Sequence, residues 1–159
     1  MNTDNKKELH SFAKRVLPIF AKISKEMNTL PLTMKAKNSL LIYNEKLEGN
    51  APNIYNQDGV SIIVKDDDKL ELSYLFQNIW IKALKKEDII RVLKPNKNLL
   101  QTVSINMHIK DKEEIVRNLS KAGVTRITPL GDTTRMLPGE SHDSEYALRR
   151  YIRIVEEFN

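Results

Sequence analysis

Beyond residue 78 the chain alternates short apolar runs with helical patterns, and this alternation restricts the fold more than any other feature. Ile79-Trp80-Ile81-Lys82-Ala83-Leu84 reads as a strand, Glu87 to Lys94 as a short helix and Leu100 to Met107 as another strand. A helix carrying Ile115, Val116, Leu119 and Ala122 follows, with Asp111 placed to cap it and Gly123 to close it, and Val124-Thr125-Arg126-Ile127 is a further strand. Parallel neighbours need a long crossover, so the rhythm predicts a mixed or largely parallel sheet with crossover helices.

The first third has a different period. Leu9, Phe12, Val16, Leu17, Phe20, Ile23 and Met27 recur at three- and four-residue steps, which predicts one face of a helix from about Glu8 to Met27. Pro18 lies inside it, and a proline there predicts a kink or two shorter helices. Leu30-Pro31-Leu32 breaks the pattern, after which Thr33 is placed to cap a second helix through Leu47, with Leu40, Leu41 and Leu47 apolar and Gly49 as the stop. Next, Asn53 to Asn56 and Val60 to Val64 flank Gln57-Asp58-Gly59, where Asp-Gly suits a tight hairpin turn. Asp66-Asp67-Asp68 reads as a solvated loop. The expected organisation is a single α/β domain over 1–159, with a helical pair over about 8–49 and an α/β part over about 53–159.

The stretch from Pro129 to Asp143 has two Gly, two Pro and a Thr-Thr pair with little periodicity, and long loops of this kind are usually functional when ordered. Ser144 to Arg150 reads as a short helix, and Tyr151 to Glu156 alternates as a final strand would. No internal repeat is visible.

Composition removes several chemistries. The 159 residues contain no Cys, which rules out disulfides, thiolate zinc sites and a cysteine nucleophile. The 26 Lys+Arg exceed the 21 Asp+Glu by five, but the basic residues are interleaved with acidic ones instead of forming a stripe, which argues against a nucleic-acid partner. No apolar run approaches the ~20 residues of a membrane span and the N-terminus does not read as a signal peptide, so the expected location is cytoplasmic.

His10, His108 and His142 show no metal-ligand spacing, and Gly131 and Gly139 do not form a phosphate-binding loop. The polar pair that stands out is His142-Asp143, preceded by Glu140 and Ser141 and followed by Glu145. A His beside carboxylates can serve as a general base; alternatively, His142 orders the loop and Asp143 caps the helix after it. Arg135, Arg149, Arg150 and Arg153 can grip a phosphate or pair with neighbouring carboxylates.

Three segments carry a family resemblance: Leu99-Leu100-Gln101-Thr102-Val103; Leu119-Ser120-Lys121-Ala122-Gly123-Val124-Thr125-Arg126-Ile127-Thr128-Pro129-Leu130-Gly131; and Pro138-Gly139-Glu140-Ser141-His142-Asp143 with Glu145 to Tyr151. In this order they resemble the C-terminal part of acyl-CoA reductases of the bacterial luminescence fatty-acid reductase type, a branch of the aldehyde dehydrogenase superfamily. The likeness is distinctive over about the last 60 residues and compatible with the earlier half. The Gly that follows His-Asp in the family is Ser144 here.

The resemblance implies an aldehyde dehydrogenase-like catalytic-domain portion contributing sheet, pocket wall and subunit contacts to NADPH-dependent reduction of a fatty acyl-CoA to an aldehyde. It implies a cysteine that takes the acyl group as a thioester, which this chain lacks, and hence a cysteine-bearing N-terminal half or companion subunit. It also places Ile152 to Val155 at a subunit interface, consistent with a homo-oligomer. The chain alone is expected to be inactive and to leave NADPH binding to the other half. The alternative is a non-catalytic protein-interaction or basic-surface binding module.

Overall fold

A computed structural model describes residues 5–27, 30–73, 77–106, 108, 110–136, 138–141, 145–146, 155 and 157. The chain divides into two compact units, Met1–Asp88 and Ile89–Asn159, and each carries its own small sheet.

In the first unit, helix α1 (Lys6–Met27) runs as one helix through Pro18, so of the two outcomes expected there the division into two shorter helices does not occur. The apolar face holds both halves in place: Leu9 and Ala13 pack with Ile62, Val64 and Ile81, and Val16, Leu17 and Phe20 extend the same contact on both sides of the proline. Burying a side chain the size of Leu9 or Ile62 stabilises by about 1.5–3 kcal/mol, enough to offset a local loss at one proline. The residues turned to the interior include the small Ala13, Ala21 and Ser24, whereas Phe12, Ile23 and Met27, expected on the buried face, are exposed. Small side chains bring the helix close to the sheet and rotate the larger ones outward.

Helix α2 (Leu32–Glu45) starts one residue before the expected cap, with Pro31 at the N-cap and no side-chain hydrogen bond there, so Thr33 is not the cap. Pro31 has no N–H to satisfy, and its φ of −57° with ψ 150° leads the chain into the helix without a capping oxygen. The helix passes into a π turn, Lys46–Asn50, where Gly49 takes φ 92°, a left-handed conformation suited to glycine.

Strands β1 (Ile54–Gln57) and β2 (Val60–Lys65) form the expected hairpin, in register Gln57↔Val60 through Ile54↔Ile63. Asp58 and Gly59 both have positive φ, 50° and 85°, the requirement of the tight hairpin turn. Strand β3 (Asn78–Lys82) pairs parallel with β2. Val60 to Val64 is buried at every position, the pattern of a strand covered on both faces. α1 covers the face of Ile62 and Val64, and Glu45 of α2 reaches Lys65 on the other.

In the second unit, α3 (Ile89–Leu93) packs against α4 (Lys112–Ala122), with Ile89, Leu93, Ile115, Leu119 and Ala122 buried. α4 is the crossover between β4 (Thr102–Ile105) and β5 (Arg126–Pro129), which pair parallel. Asp111 occupies the N-cap position but makes no side-chain hydrogen bond to the helix end; its φ of 59° turns the side chain's usual geometry away, and its carbonyl accepts from Ile115 N. Gly123 closes the helix as expected, at φ 109°, and an added Cβ there would lie 2.7 Å from Lys97 Cβ. β5 begins two residues later than the apolar pattern suggested, because the amides of Thr125 and Arg126 both donate to the Gln101 carbonyl at the entry to β4.

The strand–helix mixture is therefore as expected, but the sheet is not one. β3 joins the hairpin, and β4 and β5 form a separate two-stranded sheet. Apolar periodicity reveals a strand without naming its neighbour. The expected helix at Ser144 to Arg150 and strand at Tyr151 to Glu156 lie outside the described residues, apart from isolated positions.

Candidate functional site

The β4–β5 sheet has one polar face. Thr102 and Ser104 alternate with Val103 and Ile105, and the register Thr102↔Arg126, Ser104↔Thr128 sets four polar residues together. Ser104 Oγ lies 2.7 Å from Thr128 Oγ1 and 2.6 Å from Thr133 Oγ1, so a chain of three hydroxyls runs from the sheet into the loop after β5.

Arg126 fastens that loop. Its Nη1 donates to the Thr133 carbonyl at 2.9 Å, its Nη2 donates to the Arg135 carbonyl, and Nη2 is 3.2 Å from Glu140 Oε2. A guanidinium presents a rigid fork of donors, and here it gathers three loop positions at once. A cavity of about 320 Å3 opens beside this network, lined by Gln101, Thr102, Arg126, Thr133, Thr134 and Ser141 among others. A wider recess of about 810 Å3 shares Arg126 and Ser141 and extends to Tyr146. Hydroxyls bonded to hydroxyls orient a polar ligand, but they do not generate an alkoxide, so the arrangement suits a pocket wall rather than a nucleophile.

The first unit holds a second polar cluster. Lys65 Nζ and Lys82 Nζ stand 4.8 and 5.3 Å from the centre of the Trp80 ring. Lys65 bonds both carboxylate oxygens of the buried Glu45, at 2.8 and 2.9 Å. Lys82 donates to Asp67, the Lys69 carbonyl and Glu71 at 2.6, 2.8 and 2.9 Å. Burial alone would lower the Lys82 pKa, but hydrogen bonds and Coulombic attraction from Asp67 and Glu71 outweigh it and hold it above the ordinary value. For Asp67, burial acts to raise the pKa; the Lys82 hydrogen bond, the Lys69 amide and the charges of Lys82 and Lys65 together hold it below the ordinary carboxylate range. The acidic run is exposed, as expected of a solvated loop, and it is also pinned through Lys82; Asp66 pairs with Lys6 at 3.0 Å on the surface. These bonds fasten the segment after β2 to β3, a structural role.

His142 and Asp143 lie outside the described residues, as do Arg149, Arg150 and Arg153. Of their neighbours, Glu140 meets Arg126, Ser141 lines the cavity, and Arg135 contributes its carbonyl. His10 Nδ1 lies 2.7 Å from the Tyr55 hydroxyl, which makes it a packing residue of α1 on β1. Among the described residues no group of three or more His, Asp or Glu is gathered as a metal site. Sequence reading named the loop but not Ser104, Thr128 and Arg126 as its anchors; their signal is the period-two spacing Thr102-x-Ser104 and Arg126-x-Thr128.

The family model described as Acyl-CoA reductase (LuxC) matches residues 2–154. This chain belongs to the LuxC acyl-CoA reductase family. The hydroxyl-lined cavity, the Arg126 staple and the Lys65–Trp80–Lys82 cluster are thus parts of a LuxC-family chain, and acyl-CoA reductase chemistry is what the family implies. No match was found among curated proteins or among solved structures. Among the described residues no helix is long and apolar enough to cross a membrane.

Proposed function

We propose that this chain supplies the C-terminal α/β portion of an aldehyde dehydrogenase-like acyl-CoA reductase and completes its site with a cysteine-bearing half or companion subunit. One observation carries the reading: the family match spans 153 positions, from residue 2 to 154, in a sequence without a single Cys. Formation of an acyl-enzyme thioester needs a thiolate to attack the acyl-CoA carbonyl and expel the CoA thiolate, and no side chain here replaces it. The chain's own part is then structural and positional. The β4–β5 polar face and the loop held by Arg126 form a wall on which a fatty acyl-CoA's polar end is oriented, while His142 and Asp143, next in sequence after Ser141, are the candidate proton-transfer residues.

NADPH is the reductant that the resemblance implies, and the segment between β4 and α4 does not fit its pyrophosphate. The turn from β4 to α4, Asn106 to Asp111, has no glycine, and α4 opens with Glu113 and Glu114, which disfavour a pyrophosphate at its N-terminus. The cofactor site is therefore assigned to the companion.

The test is an assay with a long-chain acyl-CoA and NADPH, run on this chain alone and after mixing with a cysteine-bearing LuxC-type chain. Turnover in the mixture that exceeds the companion alone supports the proposal, and His142→Ala then lowers turnover by more than it lowers the melting temperature. Turnover no higher than the companion's own sinks the reductase reading and leaves a non-catalytic interaction module, the second reading, which the outward apolar side of α2 favours.

A further inference from the structure

Helix α1 gathers charges that the sequence scatters. Lys7, Lys14, Arg15, Lys22 and Lys25 are all exposed, and at about 100° per residue they fall within one arc of about 100° on the outward side of the helix, running some 27 Å from Lys7 to Lys25. None of the five side chains pairs with a carboxylate among the described residues, whereas Lys6, outside this arc, pairs with Asp66. The acidic residues of α1, Glu8 and Glu26, stand at its two ends, so the length between them carries no negative charge. A second row lies beside the first. Phe12, Ile19, Ile23 and Met27 are 36–64% exposed, and the row begins about 40° around the helix from Arg15. Both rows lie off the core, since the residues α1 buries are Leu9, Ala13, Ala21 and Ser24.

We propose that this side of α1 docks on an anionic lipid surface, the helix lying in the plane of the headgroups with its five cations on the phosphates and Phe12, Ile19, Ile23 and Met27 entering the acyl boundary. The argument is charge complementarity joined to an apolar margin. A bilayer containing anionic lipids offers a sheet of phosphates over hydrocarbon, and an interfacial helix matches it with basic residues beside apolar ones. A nucleic-acid backbone matches the cations alone. The apolar row gains nothing from phosphates, and α1 has a single Arg and no Asn or Gln with which to read base edges. Lysines suit a lipid surface because the ammonium reaches the headgroups while the stem lies against apolar atoms. Five cations against two carboxylates make the adsorption reversible and dependent on salt.

The test is co-sedimentation of the full chain with vesicles of equal parts phosphatidylglycerol and phosphatidylcholine, and with vesicles of phosphatidylcholine alone. Binding is expected to the first and to be at least about tenfold weaker to the second; raising salt from about 0.1 M to 1 M, which shortens the screening length from about 10 to 3 Å, should release the chain. Each basic residue near such a surface strengthens adsorption about fivefold, so Lys14→Gln with Lys22→Gln should weaken binding about 25-fold. Lys94→Gln with Lys121→Gln removes the same charge from exposed positions in the second unit and should leave binding unchanged. Ile19→Ser with Ile23→Ser should weaken it at least about fivefold at constant charge. Each variant is compared at an unchanged circular dichroism spectrum. No binding to the anionic vesicles overturns the proposal. So does equal weakening by the two lysine pairs, which makes the attraction one of net charge. Binding that the Ile variant does not weaken, or that a random-sequence DNA duplex shares at equal affinity, also overturns it and leaves a polyanion surface in place of a lipid one. The outcome is independent of acyl-CoA reduction, so it stands or falls apart from the proposed function.

Discussion

Removing the carboxylate of Glu45 tests whether the first unit is held together through a charge its core has enclosed. The Glu45 side chain is 4% exposed and that of Lys65 18%; the carboxylate accepts two bonds from Lys65 and one, at 2.6 Å, from Asn50. Breaking a buried pair by removing one partner costs about 3–5 kcal/mol, because the other charge stays behind without compensation. Lys65 retains some access to water and its stack on Trp80, which reduces the expected loss for Glu45→Ala to about 2–4 kcal/mol. Trp80 is the only Trp in the chain and sits beside Lys65, so its fluorescence in a urea titration reports on this unit. With a slope of about 1–3 kcal/mol per molar urea, the midpoint should fall by on the order of 1–2 M. The double variant Glu45→Leu with Lys65→Met should recover most of the loss, since replacing both charges by apolar groups of similar volume is close to neutral. A single variant that shifts the midpoint by less than about 0.3 M, or a double variant as unstable as the single, would refute the reasoning.

Other perturbations separate the remaining contacts. The lowered pKa of Asp67 means its contribution is present above its unfolded value of 3.8 and is lost as pH falls through the lower folded value; the raised pKa of Lys82 means its share is present below 10.5 and is lost as pH rises past it. The stability difference between the native chain and Lys82→Gln should therefore persist from about pH 5 to 10 and shrink at both ends; a difference that is flat in pH contradicts the assignment. Gly123→Ala combines a φ of 109° with a 2.7 Å approach to Lys97 Cβ and should lower stability by more than about 1 kcal/mol in thermal melts, with no effect counting against the helix closure described. Arg126→Met should speed limited proteolysis between Thr133 and Glu140, and Arg126→Lys should not restore protection, because a single ammonium cannot reach three acceptors; equal cleavage in all three chains removes the staple.

Much of this architecture was legible because it is local. The three- and four-residue steps of α1, the Asp58-Gly59 turn and the Gly123 stop each depend on residues within a few positions. What was not legible depends on distant partners. The choice of β2 as neighbour of β3, and of β5 as neighbour of β4, follows from packing that no single run of residues encodes. The outward rotation of Phe12 and Ile23 reflects the fit of Ala13 against Ile62 and Val64, about 50 residues away. The loop was recognised from its composition, but its fastening was not, because Arg126 reads first as one residue of a strand. Glu45 in a helix and Lys65 in a strand each look like surface charges, and only their meeting across 20 positions makes them interior.

The parallel pairing of β2 with β3 also has a kinetic side. The β1–β2 hairpin closes across two residues, on a timescale of about 1–10 μs for such elements. β3 cannot join until the intervening residues 66–77 have been looped back, and α1 must find strands roughly 50 positions downstream. In the second unit the 20 residues between β4 and β5, α4 among them, have to loop back before the two strands can meet. Formation of the first unit should accordingly begin at the Asp58-Gly59 turn, so substitutions there slow folding, while substitutions in β3 chiefly hasten unfolding.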